Sequence, residues 1–189
     1  MLKNMLRIIA ALLITSVSVV AHADKADKKR GKIHEMREEV LTQLFKERPQ
    51  TRAEIDGAEG YAVFSNVGVN VIFLSAGGGK GVVKDMKSGK YTYMKMGTAG
   101  VGLGLGIKDF RAVFVFHDRD AMNDFIEKGW DFSGQADVAV VSDEKGGEAN
   151  ESTTFSKKVS VYQFTKAGLA LQATLQGTKY WKDKKLNRS

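Results

Sequence analysis

Gly81-Val82-Val83-Lys84-Asp85-Met86-Lys87-Ser88-Gly89-Lys90-Tyr91-Thr92-Tyr93-Met94-Lys95-Met96 decides the fold class. Val82-Val83 and Tyr91-Thr92-Tyr93 are β-branched and aromatic runs, and the polar segment Met86 to Lys90, with its late glycine, reads as the hairpin turn between them. A connection this short makes antiparallel neighbours, because a parallel crossover needs about a dozen residues or more. Outward from the hairpin the same grammar repeats. Residues 61–66, 69–75, 81–87, 91–96, 99–107 and 110–117 read as strands separated by Gly-rich or polar breaks, and further strands are expected at 132–141, 155–166 and 168–176. Between the two groups, Asp118 is placed to cap a helix running to about Lys128, which buries Met122, Phe125 and Ile126 and stops at Gly129. Residues 142–150 are polar and read as a loop. The expected fold is α+β and mainly β: a single domain of about eight antiparallel strands, barrel-like or a sandwich, with an N-terminal amphipathic helix and one or two short helices.

That helix is carried by Ile33, Met36, Val40, Leu41 and Leu44 at helical spacing, and it should end before Pro49. Its apolar face either packs on the domain or lies on a membrane surface. Thr51-Arg52-Ala53-Glu54 has the form of a capping box opening a second, short helix that closes near Gly57. Ahead of these, Lys3 and Arg7 precede an apolar stretch from Ile8 to Val20 and the small-x-small triplet Ala21-His22-Ala23, the pattern of an export signal cleaved after Ala23. The expected organisation is therefore a signal over 1–23, a basic arm over 24–32, the domain over 33–177 and a basic tail over 178–189, in a periplasmic or secreted protein.

The formal charge of +7 is unevenly placed. Residues 24–32 carry five basic and two acidic side chains and residues 178–189 five basic and one acidic, whereas the body between them is net negative. A nucleic-acid reader would carry its basic face on the domain, so nucleic acid is not an expected partner. Basic ends suit either an anionic membrane surface or plain solvation.

Ten of the 20 glycines fall between Gly77 and Gly106. Gly100, Gly102, Gly104 and Gly106 alternate with Val101, Leu103, Leu105 and Ile107, so a strand there has one face of bare backbone. Such a face serves close internal packing or a ligand slot. Gly77-Gly78-Gly79-Lys80-Gly81 resembles a phosphate loop only superficially: no Ser or Thr follows Lys80, and strands flank it where a helix should follow. Anion or headgroup contact at Lys80 is what remains of that signal.

The chain has no cysteine, which removes disulfides, thiolate metal sites and thiol catalysis, and it has only three histidines. His34 is expected to face solvent on the first helix. His117 stands beside Asp118 and Asp120, a grouping that a helix cap explains, and Asp143, Glu144, Glu148 and Glu151 match no calcium-loop spacing. No G-x-S-x-G elbow surrounds Ser133 or Ser160. No catalytic residue, metal site or cofactor is expected.

Tyr61-Ala62-Val63-Phe64-Ser65-Asn66-Val67-Gly68, Gly77-Gly78-Gly79-Lys80-Gly81-Val82, and the glycine tract running into Asp109-Phe110-Arg111-Ala112-Val113-Phe114-Val115-Phe116 together resemble the SYLF domain family. Ala121-Met122-Asn123-Asp124-Phe125 and Val161-Tyr162-Gln163-Phe164-Thr165-Lys166-Ala167-Gly168-Leu169 extend the resemblance, which spans roughly residues 51–180. It implies a non-enzymatic lipid-binding domain. Eukaryotic members bind phosphoinositide-rich membranes and some bind actin filaments, while bacterial members are exported or lipid-anchored envelope proteins. Val, Leu and Ile stand here where many members have Gln in the glycine run.

The expected function is non-catalytic binding of anionic phospholipid at a membrane surface, with an envelope protein-interaction or scaffolding module as the alternative and actin not expected. The residues expected to meet headgroups are Lys80, Lys179, Trp181, Lys182, Lys184, Lys185 and Arg188, joined by Lys25, Lys28, Lys29 and Arg30 at the other end. Tyr180 and Trp181 suit either the membrane boundary or the closing of the last strand on the core.

Overall fold

A computed structural model describes residues 2–66, 78–98, 110–131, 153–156, 158–165, 168–169 and 178–188. Three helices, α1 (Leu2–Glu47), α2 (Thr51–Asp56) and α3 (Arg119–Lys128), accompany the strands β1 (Gly60–Ser65), β2 (Gly78–Asp85), β3 (Tyr91–Thr98), β4 (Arg111–Phe116), β5 (Trp130–Asp131), β6 (Thr153–Ser156), β7 (Val159–Thr165), β8 (Gly168–Leu169) and β9 (Thr178–Lys182). The expected strands at 69–75, 99–107 and 132–141, most of 168–176, the 142–150 loop and the run Gly100, Gly102, Gly104 and Gly106 lie outside the described residues.

The nine strands form one antiparallel sheet in the order β5-β9-β3-β2-β1-β4-β7-β6, with β8 paired to β7. The hairpin expected around Met86 to Lys90 is its β2–β3 step. Asp85 N donates to Lys90 O at 3.0 Å, Asp85 Oδ1 accepts from the amides of Lys87 and Ser88, and Gly89 takes φ 70°. A positive φ there is what excludes most other residues.

Both faces of the sheet are covered, which explains why β1 and β4 are buried along their whole length instead of alternating. Tyr61, Val63, Val113, Val115, Tyr162 and Phe164 point to one face and meet Val40, Leu41 and Leu44 of α1 and Ile55 of α2. Ala62, Phe64, Ala112, Phe114 and Phe116 point to the other, where Met122 and Phe125 of α3 and Tyr180 of β9 close over them. The first helix thus spends its apolar face on the domain. It ends before Pro49 as expected, and at its other end it continues through the basic segment 24–32.

The sheet is curled into a half-barrel. In a flat sheet Tyr180 on β9 would be three strand spacings, about 14 Å, from Phe64 on β1. Their ring centroids are instead 4.7 Å apart, and Tyr180 meets Phe114 on β4 at 5.1 Å. The curl is admitted by glycine at the inner positions of β2. A Cβ on Gly81 would lie 2.3 Å from Phe64 Cδ1 and 2.4 Å from Val63 O, and one on Gly79 would lie 2.4 Å from Met96 Cε.

Local expectations fared unevenly. Asp118 caps α3 by accepting from Ala121 N at 2.9 Å, and Gly129 ends it at φ 73°. The capping box at Thr51 does not form. Gln50 is already helical, and the Thr51 hydroxyl donates to Arg48 O at 2.7 Å. The expected strand 155–166 is two strands, β6 and β7, with a register shift between Thr154 and Ser156. The basic segment 178–189 is not appended to the domain: it contributes β9, paired with β3 and β5, and a turn with buried Leu186.

Candidate functional site

The two basic segments, far apart in sequence, lie side by side. Arg30 on α1 donates to Leu186 O through Nε (3.0 Å) and Nη2 (2.8 Å), and to Arg188 O at 2.8 Å, while Nη1 pairs with Asp27 at 2.8 Å. The C-terminal turn is fixed beneath it. Asn187 brackets Tyr93, accepting from its amide at 2.9 Å and donating to its carbonyl at 2.7 Å, and Asp183 Oδ1 accepts from Lys185 N and Leu186 N. Leu186 is buried against Ile33 and Val82. This junction presents Lys25, Lys28, Lys29 and Lys32 of α1 beside Lys184, Lys185 and Arg188, all exposed.

The expected headgroup residues do not all serve this face. Tyr180 is core and Trp181 is surface: alternation along β9 buries the first and leaves the second 42% exposed. The Trp181 ring lies over Gly97, where a Cβ would be 2.8 Å from Cη2. Lys179 pairs with Asp131 at 2.6 Å and Lys182 with Glu127 at 2.8 Å, so both are partly neutralised. Lys80 is half-buried on the α1 face of β2. Burial, the Lys29 charge and, more weakly, Lys95 and Lys32 hold its ammonium below the usual range against the opposing pull of Asp183. Lys95, whose Nζ is 3.5 Å from Asp183 Oδ2, is absent from the sequence-based set although the hairpin register places it opposite Lys80.

His34 and His117 are both engaged. The expectation that His34 faces solvent is overturned: its Nε2 is 3.0 Å from the Tyr93 hydroxyl, its Nδ1 is 3.2 Å from Arg37 Nη1, and its ring sits edge-on to Tyr91 at 4.7 Å. A guanidinium only donates, so Nδ1 accepts and Nε2 carries the hydrogen. Burial first, and then the Arg37 charge, lower the His34 pKa, with Glu38 opposing. A base depressed in the fold is favoured neutral. Its contribution is intact above the ordinary value of 6.5 and is lost as pH falls through the lower folded-state value. We expect the thermal midpoint to drop between pH 8 and pH 5, and to drop less in His34→Gln. An identical pH profile in the variant would remove His34 as the cause.

His117 stands 3.0 Å from Ser160 Oγ and 3.1 Å from Glu54 Oε1, a Ser–His–acid grouping in composition. Both partners meet the same nitrogen, Nε2, whereas a nucleophile relay needs the hydroxyl on one nitrogen and the carboxylate on the other. The Tyr162 hydroxyl also donates to Glu54. The grouping ties α2 to β4 and β7. Among the described residues no set of three or more His, Asp or Glu is arranged to hold a metal ion.

Fold and site together define a small, mainly β domain whose distinguishing surface is a basic junction with one exposed tryptophan. Residues 97–189 match the SYLF domain family described as Ysc84, Las17-binding protein actin regulator. A protein of Aeromonas veronii, "Beta cell expansion factor A", is 36% identical over 165 residues, covering 87% of this chain and 61% of that protein. The chain thus spans less than two thirds of that relative's length. Family and relative are described as a regulator and a factor.

Proposed function

We propose that this protein binds anionic phospholipid surfaces without catalysing a reaction, as an exported protein of the cell envelope. The observation that carries the reading is the Arg30 junction, which joins the segment of Lys25, Lys28, Lys29 and Lys32 to the turn carrying Lys184, Lys185 and Arg188 in one basic face. Each Lys or Arg near an anionic surface contributes about 1 kcal/mol, so a merged face does what neither end does alone. Trp181, exposed beside Lys95 in the β3–β9 register, suits the headgroup boundary. The binding is peripheral. No helix among the described residues is long and apolar enough to cross a membrane, and the apolar face of α1 from Ile33 onward is already occupied. Export follows from the signal-like segment. The first described packing contact of α1, Ala26, follows the expected cleavage point after Ala23.

The test is cosedimentation with phosphatidylglycerol vesicles against phosphatidylcholine vesicles. We expect retention on the anionic vesicles at low salt, falling roughly tenfold or more at several hundred millimolar, where the Debye length shrinks to about 3–8 Å. Equal retention on both vesicles, or none on either, would defeat the reading. A single stoichiometric envelope protein recovered without any lipid affinity would support the scaffolding alternative, which draws on the partner-binding description of the family.

A further inference from the structure

One row of side chains crosses the α1 face of the sheet in register: Trp181 opposite Lys95, Lys95 opposite Lys80, Lys80 opposite Ser65, and Ser65 opposite Arg111. The row has two cations-bearing ends, and α1 treats them differently. At the Arg111 end it supplies Glu39, at 2.9 Å from Nη2, and Gln43, which accepts from Nη1. At the Lys80–Lys95 end Ile33 packs on Val82, and the residues α1 carries beside that contact are Lys32 and, one turn earlier, Lys29. Among the described residues the acid facing this group is Asp183, and it is already committed: Oδ2 bridges Lys95 and Oδ1 holds two amides of the C-terminal turn.

Like charges directly opposite on neighbouring strands are destabilising. Here that arrangement is combined with two further lysines from the covering helix and partial burial, so the fold keeps an excess of positive charge where it costs stability. A bound anion would relieve that repulsion. The ammonium groups approach from two elements, the sheet below and the helix to one side, which suits a tetrahedral oxyanion presenting an oxygen in each direction.

We propose that Lys29, Lys32, Lys80 and Lys95 form a phosphate-binding site between α1 and the β2–β3 hairpin, with Trp181 at its rim. The inference rests on the reading of the protein as a binder of anionic phospholipid and names the place where a lipid phosphate seats. Lys80 and Lys95 take the phosphate oxygens from the sheet, Lys29 and Lys32 close from the helix, and Trp181 stands one register position outward toward the bilayer boundary. Burial first, and then the Lys29 charge, lower the Lys80 pKa, with Asp183 opposing, and Lys95 and Lys32 add to the lowering. Free phosphate shares the chemistry, so the experiment separates the two sources.

The full chain and two variants, Lys80→Gln/Lys95→Gln in the sheet and Lys29→Gln/Lys32→Gln on exposed helix positions, are compared in two assays. One is sedimentation with phosphatidylglycerol vesicles. The other is the thermal midpoint in inorganic phosphate against chloride at matched ionic strength. We expect each pair to weaken vesicle binding roughly tenfold or more, and the phosphate-induced rise in midpoint to vanish in both variants. We also expect Lys80→Gln alone, which keeps the Lys95–Asp183 pair, to melt in chloride at or above the parent, since a repulsion has been removed, an outcome a merely structural lysine would not give. Vesicle binding unchanged in both variants would overturn the site and leave the proposed function standing. A midpoint rise in the parent alone, without vesicle binding, would keep the site with free phosphate as its occupant and end the lipid reading. Neither response in the parent would end both.

Discussion

Gly81→Val should destabilise the fold severely. The new Cβ would sit 2.3 Å from Phe64 Cδ1, 2.5 Å from Cε1 and 2.4 Å from the carbonyl oxygen of Val63. The oxygen cannot retreat, because Val63 lies opposite Val82 in the β1–β2 ladder and opposite Val113 in the β1–β4 ladder. The ring cannot retreat either. Phe64 is fully buried and meets Tyr180 at 4.7 Å, Phe114 at 5.8 Å and Phe125 at 6.0 Å. Overpacking a tight core costs about 1–3 kcal/mol when side chains can adjust, and here backbone must move as well. Set against a total stability of about 5–15 kcal/mol, a loss above about 3 kcal/mol is enough to populate unfolded chain. The measurement is urea unfolding followed by near-ultraviolet circular dichroism, which reports the aromatic cluster. A variant with the parent's midpoint and aromatic signal would refute the curl of β2 over β1.

That glycine also shows what a sequence can disclose. In the sequence Gly81 belongs to a run that resembles a phosphate loop only superficially, and local spacing does not show what the glycine faces; in the fold its neighbour is Phe64, and the position serves packing. Elements set by local signals were legible. Asp118 and Gly129 bound α3 because a cap and a positive-φ stop act within a few residues, and Asp85 and Gly89 fix the β2–β3 turn for the same reason. Where neighbours override local chemistry, reading failed. Thr51 has the right side chain to cap α2, but Gln50 had already entered the helix, so the hydroxyl turns back to Arg48.

The candidate site was half visible. Composition located positive charge at both ends, and nothing local says that they meet, because the Arg30 contacts span 156 and 158 residues. Strand β9 was hidden by its own charge: Thr178-Lys179-Tyr180-Trp181-Lys182 buries only Thr178 and Tyr180, too short an alternation to stand out in a segment of net +4. The facing of Lys80 and Lys95, by contrast, was implicit in the hairpin, since fixing Asp85 and Lys90 as the turn flanks fixes every pair behind them.

Deleting residues 178–189 should abolish folding, and so cannot by itself show that their charges bind lipid. The deletion removes β9 from between β3 and β5, taking a five-residue ladder from one side of the sheet. It removes Tyr180, whose ring packs on Phe64, Phe114 and Phe125, and Leu186, which closes on Ile33 and Val82. Burying two such side chains contributes about 1.5–3 kcal/mol each. The lost hydrogen bonds, including both between Asn187 and Tyr93, contribute about 1 kcal/mol apiece. The total is comparable with the whole stability of a domain this size. We therefore expect the shortened chain to show no cooperative thermal transition. Lys184→Gln/Lys185→Gln/Arg188→Gln, at exposed positions, should keep the parent's transition while weakening retention on phosphatidylglycerol vesicles severalfold. A truncated protein that melts cooperatively at the parent's temperature would mean that the segment is an appendage after all, and that the junction at Arg30 does not hold the two basic ends together.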